Sequence, residues 1–535
     1  MRTAAFATLL AAGGLSQGFE PTDFNITAAL LENGVDASVF PKLSSLEERS
    51  FSNGCRATCN SLRLIFGDDQ VDTQQEPAYK AFINNLWSAQ QQEIAPRCVF
   101  KPRDARAVST SILLSRLTQC PFAAKSGGHS AVPGGSNIMG GVTINFEGMT
   151  KISVSRDKKT VSFQPGHTWY DIYTALEKYN VTVVGGRVAS VGVGGLTLGG
   201  GISYFSSMYG LACDNVLSYE LVTASGRILT VSEKSRADLY WALRGGGNNF
   251  GLVTQFTVAA FPREPTMWGG MRTYMATEFP ALIKAYYNLG INAKQDGKAH
   301  QILSFGYGGP QLGQVAQVEL EYADPMANAS ILGEYNAIQG ALADQTAIRS
   351  LTELTALLDS SATGNGLRQS FWTWTVKLDE SLATAAKDIF FEELPAIVDA
   401  EGILPAISLQ VITEPILELM AQRGGNALGL SAQDGPLMSL LIACRWIQSA
   451  DDGRINKFSD KVKNRVLAAA AAKGKASPYL YMNYASPWQD AVAGYGAANK
   501  AKLKSISKKY DPRGVFQKLQ PGYFKLDGAP RGRLV

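Results

Sequence analysis

Three glycine clusters between residues 125 and 251 carry the densest chemistry in this sequence. The first is Lys125-Ser126-Gly127-Gly128-His129-Ser130, after a strand-like run and before the Gly134-Gly135 pair. Consecutive small residues leave main-chain N–H groups free to converge on a phosphate, and Lys125 adds a positive charge. The second runs from Gly185 to Gly201, GGRVASVGVGGLTLGGG, with eight glycines in seventeen residues and one charge. Glycine at that density lets main chain lie flush against a flat ligand or a pyrophosphate. It makes Val191, Gly192, Gly194, Gly195, Gly199, Gly200 and Gly201 candidates for holding a cofactor. The third, Arg244 to Gly251, precedes the strand-like Leu252 to Val258 run that contains Val253. Each cluster alone reads equally well as a turn. Three of them at strand ends point to a dinucleotide cradle.

Other catalytic signatures are missing. With only three histidines, His129, His167 and His300, no HExxH motif is possible. There is no phosphate loop ending in Gly-Lys-Ser/Thr. The second cluster does not spell G-x-G-x-x-G, because Thr197 stands where the third glycine belongs. His129 lies inside an anion-binding loop, where an imidazole nitrogen can serve as a nucleophile. His167 and His300 have no comparable context and read as core histidines.

These clusters have to be positioned by elements that the chain spells out. Arg106 to Leu117 reads as a helix, Gly141 to Ile144 and Val161 to Gln164 as strands, and Trp169 to Tyr179 as a helix. Val181 to Val184 reads as a further strand. Asn215 to Thr223 and Arg227 to Val231 form a hairpin around Ser225-Gly226. The spacing predicts an α+β domain up to residue 262. A second texture follows from 263 to 478: alternating strands at Val315 to Tyr322, Ser370 to Leu378 and Leu437 to Ile447, with amphipathic helices such as Lys457 to Ala472. That pattern implies an antiparallel sheet backed by helices. A tail from 479 to 535 is again rich in tyrosine and glycine.

The 535 residues are too many for one simple core. A net charge of +4 from 50 basic and 46 acidic residues gives no footprint for nucleic acid. Residues 1–18, MRTAAFATLLAAGGLSQG, have the parts of a secretory signal peptide, and no segment reaches the roughly 18 apolar residues of a membrane span. Sequons at Asn25, Asn180 and Asn328 agree with secretion. So do Cys55, Cys59, Cys98 and Cys120, which an oxidising compartment would bridge in one of three pairings.

Taken together, KSGGHS, VGVGGLTLGGGISYFSSMYGLACDNVLSYELVTASGRI and LYWALRGGGNNFGLVTQF resemble the FAD-binding (PCMH-type) domain of the vanillyl-alcohol-oxidase superfamily. The tail strings YLYMNYASPWQD, YGAANKAKL and KYDPRGVFQKLQPGYF are similar to its berberine-bridge-enzyme-like branch. The matches cover roughly residues 90–262 and 479–526. The resemblance implies a two-domain fold, with residues 19–262 binding FAD, 263–478 forming an inserted substrate domain, and 479–535 returning to the flavin. It implies that His129 carries the 8α-methyl of FAD. Many members add a second bond from a cysteine, but Val188 stands at that place, which implies single attachment. Cys213, in GLACDNV beside Asp214, reads as packing near the cofactor.

The family's chemistry implies hydride transfer from a small substrate to the flavin and reoxidation by O2, with Val191 at the oxygen-gating position. Tyr481-x-Asn483 matches the family's Y-x-N motif and supplies the expected catalytic pair, with Tyr479, Tyr481 and Asn483 alternating on one strand face. Trp372 and Trp374 are expected to wall an apolar pocket for an aromatic or polyketide-like metabolite. A mono- or oligosaccharide is the alternative substrate.

Overall fold

A computed structural model describes residues 20–21, 24–39, 51–361 and 366–531 of the chain. The expected leader at 1–18 lies outside the described residues.

Two small sheets carry the first and third glycine clusters. In the first, the strands Val71–Thr73, Cys98–Phe100, Val142–Asn145 and Phe122–Lys125 lie side by side in that order. Val142–Asn145 runs parallel to both of its neighbours. Parallel pairing needs a crossover, and the helix Ala105–Thr118 provides it; the Asp104 carboxylate caps the helix by accepting from the Ala107 N–H at 2.8 Å. Disulfides Cys55–Cys120 and Cys59–Cys98 pin the helix Phe51–Phe66 onto this sheet. The second sheet is antiparallel, in the order Ile152–Val154, Thr160–Phe163, Leu252–Ala259, Val216–Val222 and Ile228–Ser232.

Residues 266–477 build a nine-stranded antiparallel sheet. Its central strands, in spatial order, are Thr266–Met275, Gln314–Tyr322, Ala299–Tyr307, Leu404–Ile412, Leu437–Trp446 and Arg368–Lys377. Successive side chains point to opposite faces of a strand. One face, with Leu303, Val318, Leu409 and Ile442, packs under the helices Phe279–Ile291, Glu380–Glu393 and Asp452–Ala472. The other face looks toward the glycine clusters, and Ser304, Glu319, Gln410 and Phe371 stand on it.

That two-residue period corrects one expectation. Trp372 and Trp374 are fully buried on the helix side. Phe371 and Gln369, one residue out of phase, are the ones that reach the cavity.

A second correction falls on the tail. Residues 479–483 do not form a strand: Tyr481 is extended, and Met482–Tyr484 turns as a short 3-10 helix closed by the Tyr484 N–H on the Tyr481 carbonyl at 2.9 Å. Tyr479 therefore does not share a face with Tyr481; it is buried against Tyr495. No described helix is long and apolar enough to cross a membrane.

Candidate active site

The first two glycine clusters, the open face of the large sheet and the turn at 481–484 converge on a cavity of about 460 Å³, within the range of small-molecule clefts. Ser126 to Ser130 form one wall, Val191, Gly192, Gly194 and Gly195 a second, and Gly247, Asn248 and Val253 contribute from the third cluster and its strand.

The first two clusters are sewn together. The Ser126 hydroxyl donates to the Pro165 carbonyl at 2.6 Å and accepts from the Gly194 N–H at 3.1 Å. Gly127 and Gly192 cross so closely that a Cβ on Gly192 would stand 2.0 Å from the Gly127 nitrogen, so neither position admits a side chain. A Cβ on Gly195 would meet nothing within 4 Å. Among the described residues, the main-chain N–H groups of Gly127, Gly128 and His129 make no main-chain hydrogen bond.

His129 is part-exposed to the cavity and stacks on Trp87, with ring centroids 4.2 Å apart and planes 18° from parallel. Burial lowers its pKa to about 4. The imidazole is therefore neutral at neutral pH and keeps a nitrogen lone pair for bonding.

Several sequence candidates stand behind the wall instead of in it. Lys125 runs beneath Gly128, with its ammonium 5.7 Å from the Phe82 ring centre, and burial lowers its pKa. It does not line the cavity, so the positive charge expected in the loop is not delivered there. Gly199, Gly200, Gly201, Cys213 and Asp214 form a supporting layer. The Ala212 and Cys213 N–H groups donate to the Gly201 and Gly200 carbonyls, each at 2.8 Å. Burial pushes the Cys213 thiol well up, which fits packing and not linkage. Asp214 accepts from the Leu211 N–H and the Asn426 amide, and burial raises it to about 6.

The supported turn aims two donors outward. The Gly201 and Ile202 N–H groups both donate to the Tyr481 phenolic oxygen at 3.1 Å, and the Asn483 amide donates to it at 3.0 Å. Asn483 also donates to the Leu196 carbonyl and accepts from Tyr523. Burial pushes the Tyr481 phenol up, and nearby Tyr484 adds to that. The Asn483 and Ile202 hydrogen bonds and the Arg187 charge pull it down.

The sheet wall holds residues that sequence reasoning passed over. Arg187, buried in the cavity wall, donates to Tyr484 at 2.7 Å and to the Gln410 side-chain oxygen at 2.8 Å. Its other terminal nitrogen lies 3.0 Å from His300 Nε2. A guanidinium can only donate, so Nε2 accepts and the His300 proton sits on Nδ1, facing Glu321 at 2.8 Å. His300 is thus a member of the site's framework, contrary to its reading as a core histidine, and burial together with the Arg187 charge holds its pKa well below the ordinary value. Glu319, two residues from Glu321 on the same strand, lines the cavity, and burial raises it to about 7 against the pull of Arg187. The alternation of Glu319 and Glu321 within VELEY was the available signal.

Residues 96–232 match the FAD binding domain family. Over 493 residues the chain is 36% identical to FAD-dependent monooxygenase FUP4 of Fusarium proliferatum, a match covering 88% of this chain and 94% of that protein. The chain belongs to the FAD-dependent oxidoreductases with this FAD-binding domain. The fold of this oxidoreductase is shared by 6-hydroxy-D-nicotine oxidase from Arthrobacter nicotinovorans, with a TM-score of 0.71 and 20% identity over 86% of this chain and 97% of that one. Glucooligosaccharide oxidase from Acremonium strictum, whose FAD is 6-S-cysteinyl and 8α-N1-histidyl, gives 0.70 and 19% over 90% of this chain and all of the other.

The cavity of this FAD-dependent oxidoreductase suits its cofactor. The crossed glycines leave main-chain N–H groups for a pyrophosphate, and the open space above Gly195 is what a flat ring system needs. FAD bound there supplies the acceptor for two electrons.

Proposed function

We propose that the protein is an FAD-linked oxidase that removes a hydride and a proton from a small aromatic or polyketide-like hydroxyl compound and passes the electrons to O2, releasing H2O2. The reading rests on one juxtaposition: the neutral His129 imidazole in the glycine wall, across a single cavity from the polar sheet face and Tyr481. His129 holds the flavin covalently. Val188 stands at the place of a second link and offers no nucleophile, so attachment is single. Val191, in the same wall, is small enough to leave a path for oxygen.

Tyr481 takes the substrate's proton, and Asn483 orients the phenol. The three N–H donors on the Tyr481 oxygen favour its anion and oppose the burial that, on balance, holds the phenol above its ordinary value. Apolar Phe371, Leu441 and Ala443 beside Tyr484 favour an aromatic guest over a sugar. The division of labour is residues 19–262 for FAD, 263–478 for substrate, and 479–535 for the returning catalytic turn. The exposed sequon residues Asn25, Asn180 and Asn328 support passage through a secretory compartment.

A substrate screen in air, with aromatic alcohols and sugars side by side, tests this reading. Peroxide in equal amount to an oxidised aromatic product is expected. Peroxide from sugars alone would favour a saccharide oxidase. The monooxygenase name of the FUP4 relative adds a further possibility; label from ¹⁸O2 entering the product would favour it.

A further inference from the structure

We propose that Glu319 is a specificity-determining residue, accepting a hydrogen bond from a neutral hydroxyl of the substrate other than the one served by Tyr481. The inference rests on the reading above that this cavity receives the substrate.

Glu319 sits mid-strand in Gln314–Tyr322, on the face that lines the cavity, and is 7% exposed. Its Oε2 is buried without a hydrogen-bond partner. A buried carboxylate that lacks a donor is costly, and folded proteins almost always supply one. Several polar groups around this face are already paired. Arg187 donates to Gln410 and Tyr484 and faces the His300 nitrogen. The Ser304 hydroxyl pairs with Ser408 at 2.7 Å. His300 directs its proton to Glu321. Glu319 Oε2 thus meets the cavity with no donor supplied by the fold, and a ligand hydroxyl would provide one.

The Arg187 guanidinium stands close enough to perturb both Glu319 and Glu321, so this wall already holds charges of both signs. A neutral phenol or alcohol supplies the missing donor without bringing a further charge out of water. Above pH 7, where the Glu319 carboxyl is ionised and can only accept, it distinguishes a hydroxylated ring from its methyl ether, since the ether has no proton to give. Losing a hydrogen bond to a charged acceptor is worth about ten- to a hundredfold in affinity.

The test uses the flavin-loaded enzyme and two symmetric probes, phloroglucinol and 1,3,5-trimethoxybenzene, followed by perturbation of the flavin absorbance. Symmetry removes the question of which ring position must carry the hydroxyl. Wild type should bind phloroglucinol about ten- to a hundredfold more tightly than the trimethyl ether, and Glu319→Met, which removes the carboxyl acceptor, should bring the two within a few-fold. The wild-type comparison stands even if the variant folds poorly. Equal binding of both probes by wild type, or a preference that survives in Glu319→Met, overturns the proposal. Binding of neither probe overturns it together with the aromatic-substrate reading. A Glu319-dependent preference in an enzyme that yields no peroxide leaves Glu319 in place and removes only the oxidase.

Discussion

The Arg187 guanidinium donates to the Tyr484 phenolic oxygen at 2.7 Å, so the buried cation of the cavity meets the second tyrosine of the Tyr481-Met-Asn-Tyr484 run and not the first. Tyr481 receives N–H groups alone, from Gly201, Ile202 and Asn483. The two rings touch edge to face with centres 4.8 Å apart. Two phenols with different partners thus share one wall, and their variants should behave differently.

Tyr481→Phe should slow anaerobic flavin reduction by about 10²- to 10⁴-fold, the usual worth of general-base catalysis, with little change in the flavin spectrum. Tyr484→Phe leaves an Arg187 donor short of a partner and should cost about 1–3 kcal/mol of stability, with the smaller effect on reduction. Stopped-flow reduction and denaturant melts on both variants separate the roles. A larger rate loss in Tyr484→Phe would move the base to Tyr484.

The position of Glu319 makes stability depend on pH. Burial raises its folded pKa to about 7, above the ordinary 4.5, while Arg187 lowers it; Glu321 and His300 complete the surrounding titratable groups. A raised carboxyl favours folding while protonated. That contribution is complete below pH 4.5 and is lost as pH rises through 7. Glu319→Gln should therefore gain melting temperature relative to wild type between pH 5 and pH 8.5. A difference that is flat across that range would show that Glu319 ionises as freely in the fold as in the unfolded chain.

The proposed oxygen gate, Val191, lines the cavity while its carbonyl accepts from the Trp169 N–H at 3.0 Å. The backbone is held, so a substitution changes only side-chain bulk. Val191→Leu should slow reoxidation of the reduced enzyme by air about tenfold or more and leave anaerobic reduction by substrate nearly unchanged. Equal reoxidation rates would take the gate away from Val191.

The parts legible in the sequence were those encoded locally. The three clusters are continuous strings, so Gly127, His129, Gly192 and Gly195 could be named from the sequence as residues of one cradle, and all four line the cavity. Arg187 lay inside GGRVAS in plain view, yet its partners Gln410 and Tyr484 are 223 and 297 residues away. His300 became meaningful only through the sheet register that sets it opposite Glu321. Alternation in SFWTWTVKL correctly implied two faces for the strand but not which of them met the cavity, so Trp372 and Trp374 were placed on the wrong side. The tail failed differently. Tyr479, Tyr481 and Asn483 have strand-like spacing, but the chain turns at Met482 to bring both Tyr481 and Asn483 against the Gly199–Ile202 loop.

The most direct test of the whole account is where the flavin is attached. Acid-precipitated protein should remain yellow, and tryptic mass mapping should place one flavin on the peptide containing His129. His129→Ala should lose its colour on precipitation but still bind FAD before it, because the crossed glycine walls are untouched. Flavin released freely from wild type by acid, or mapped to the Cys213 peptide, would contradict the assignment.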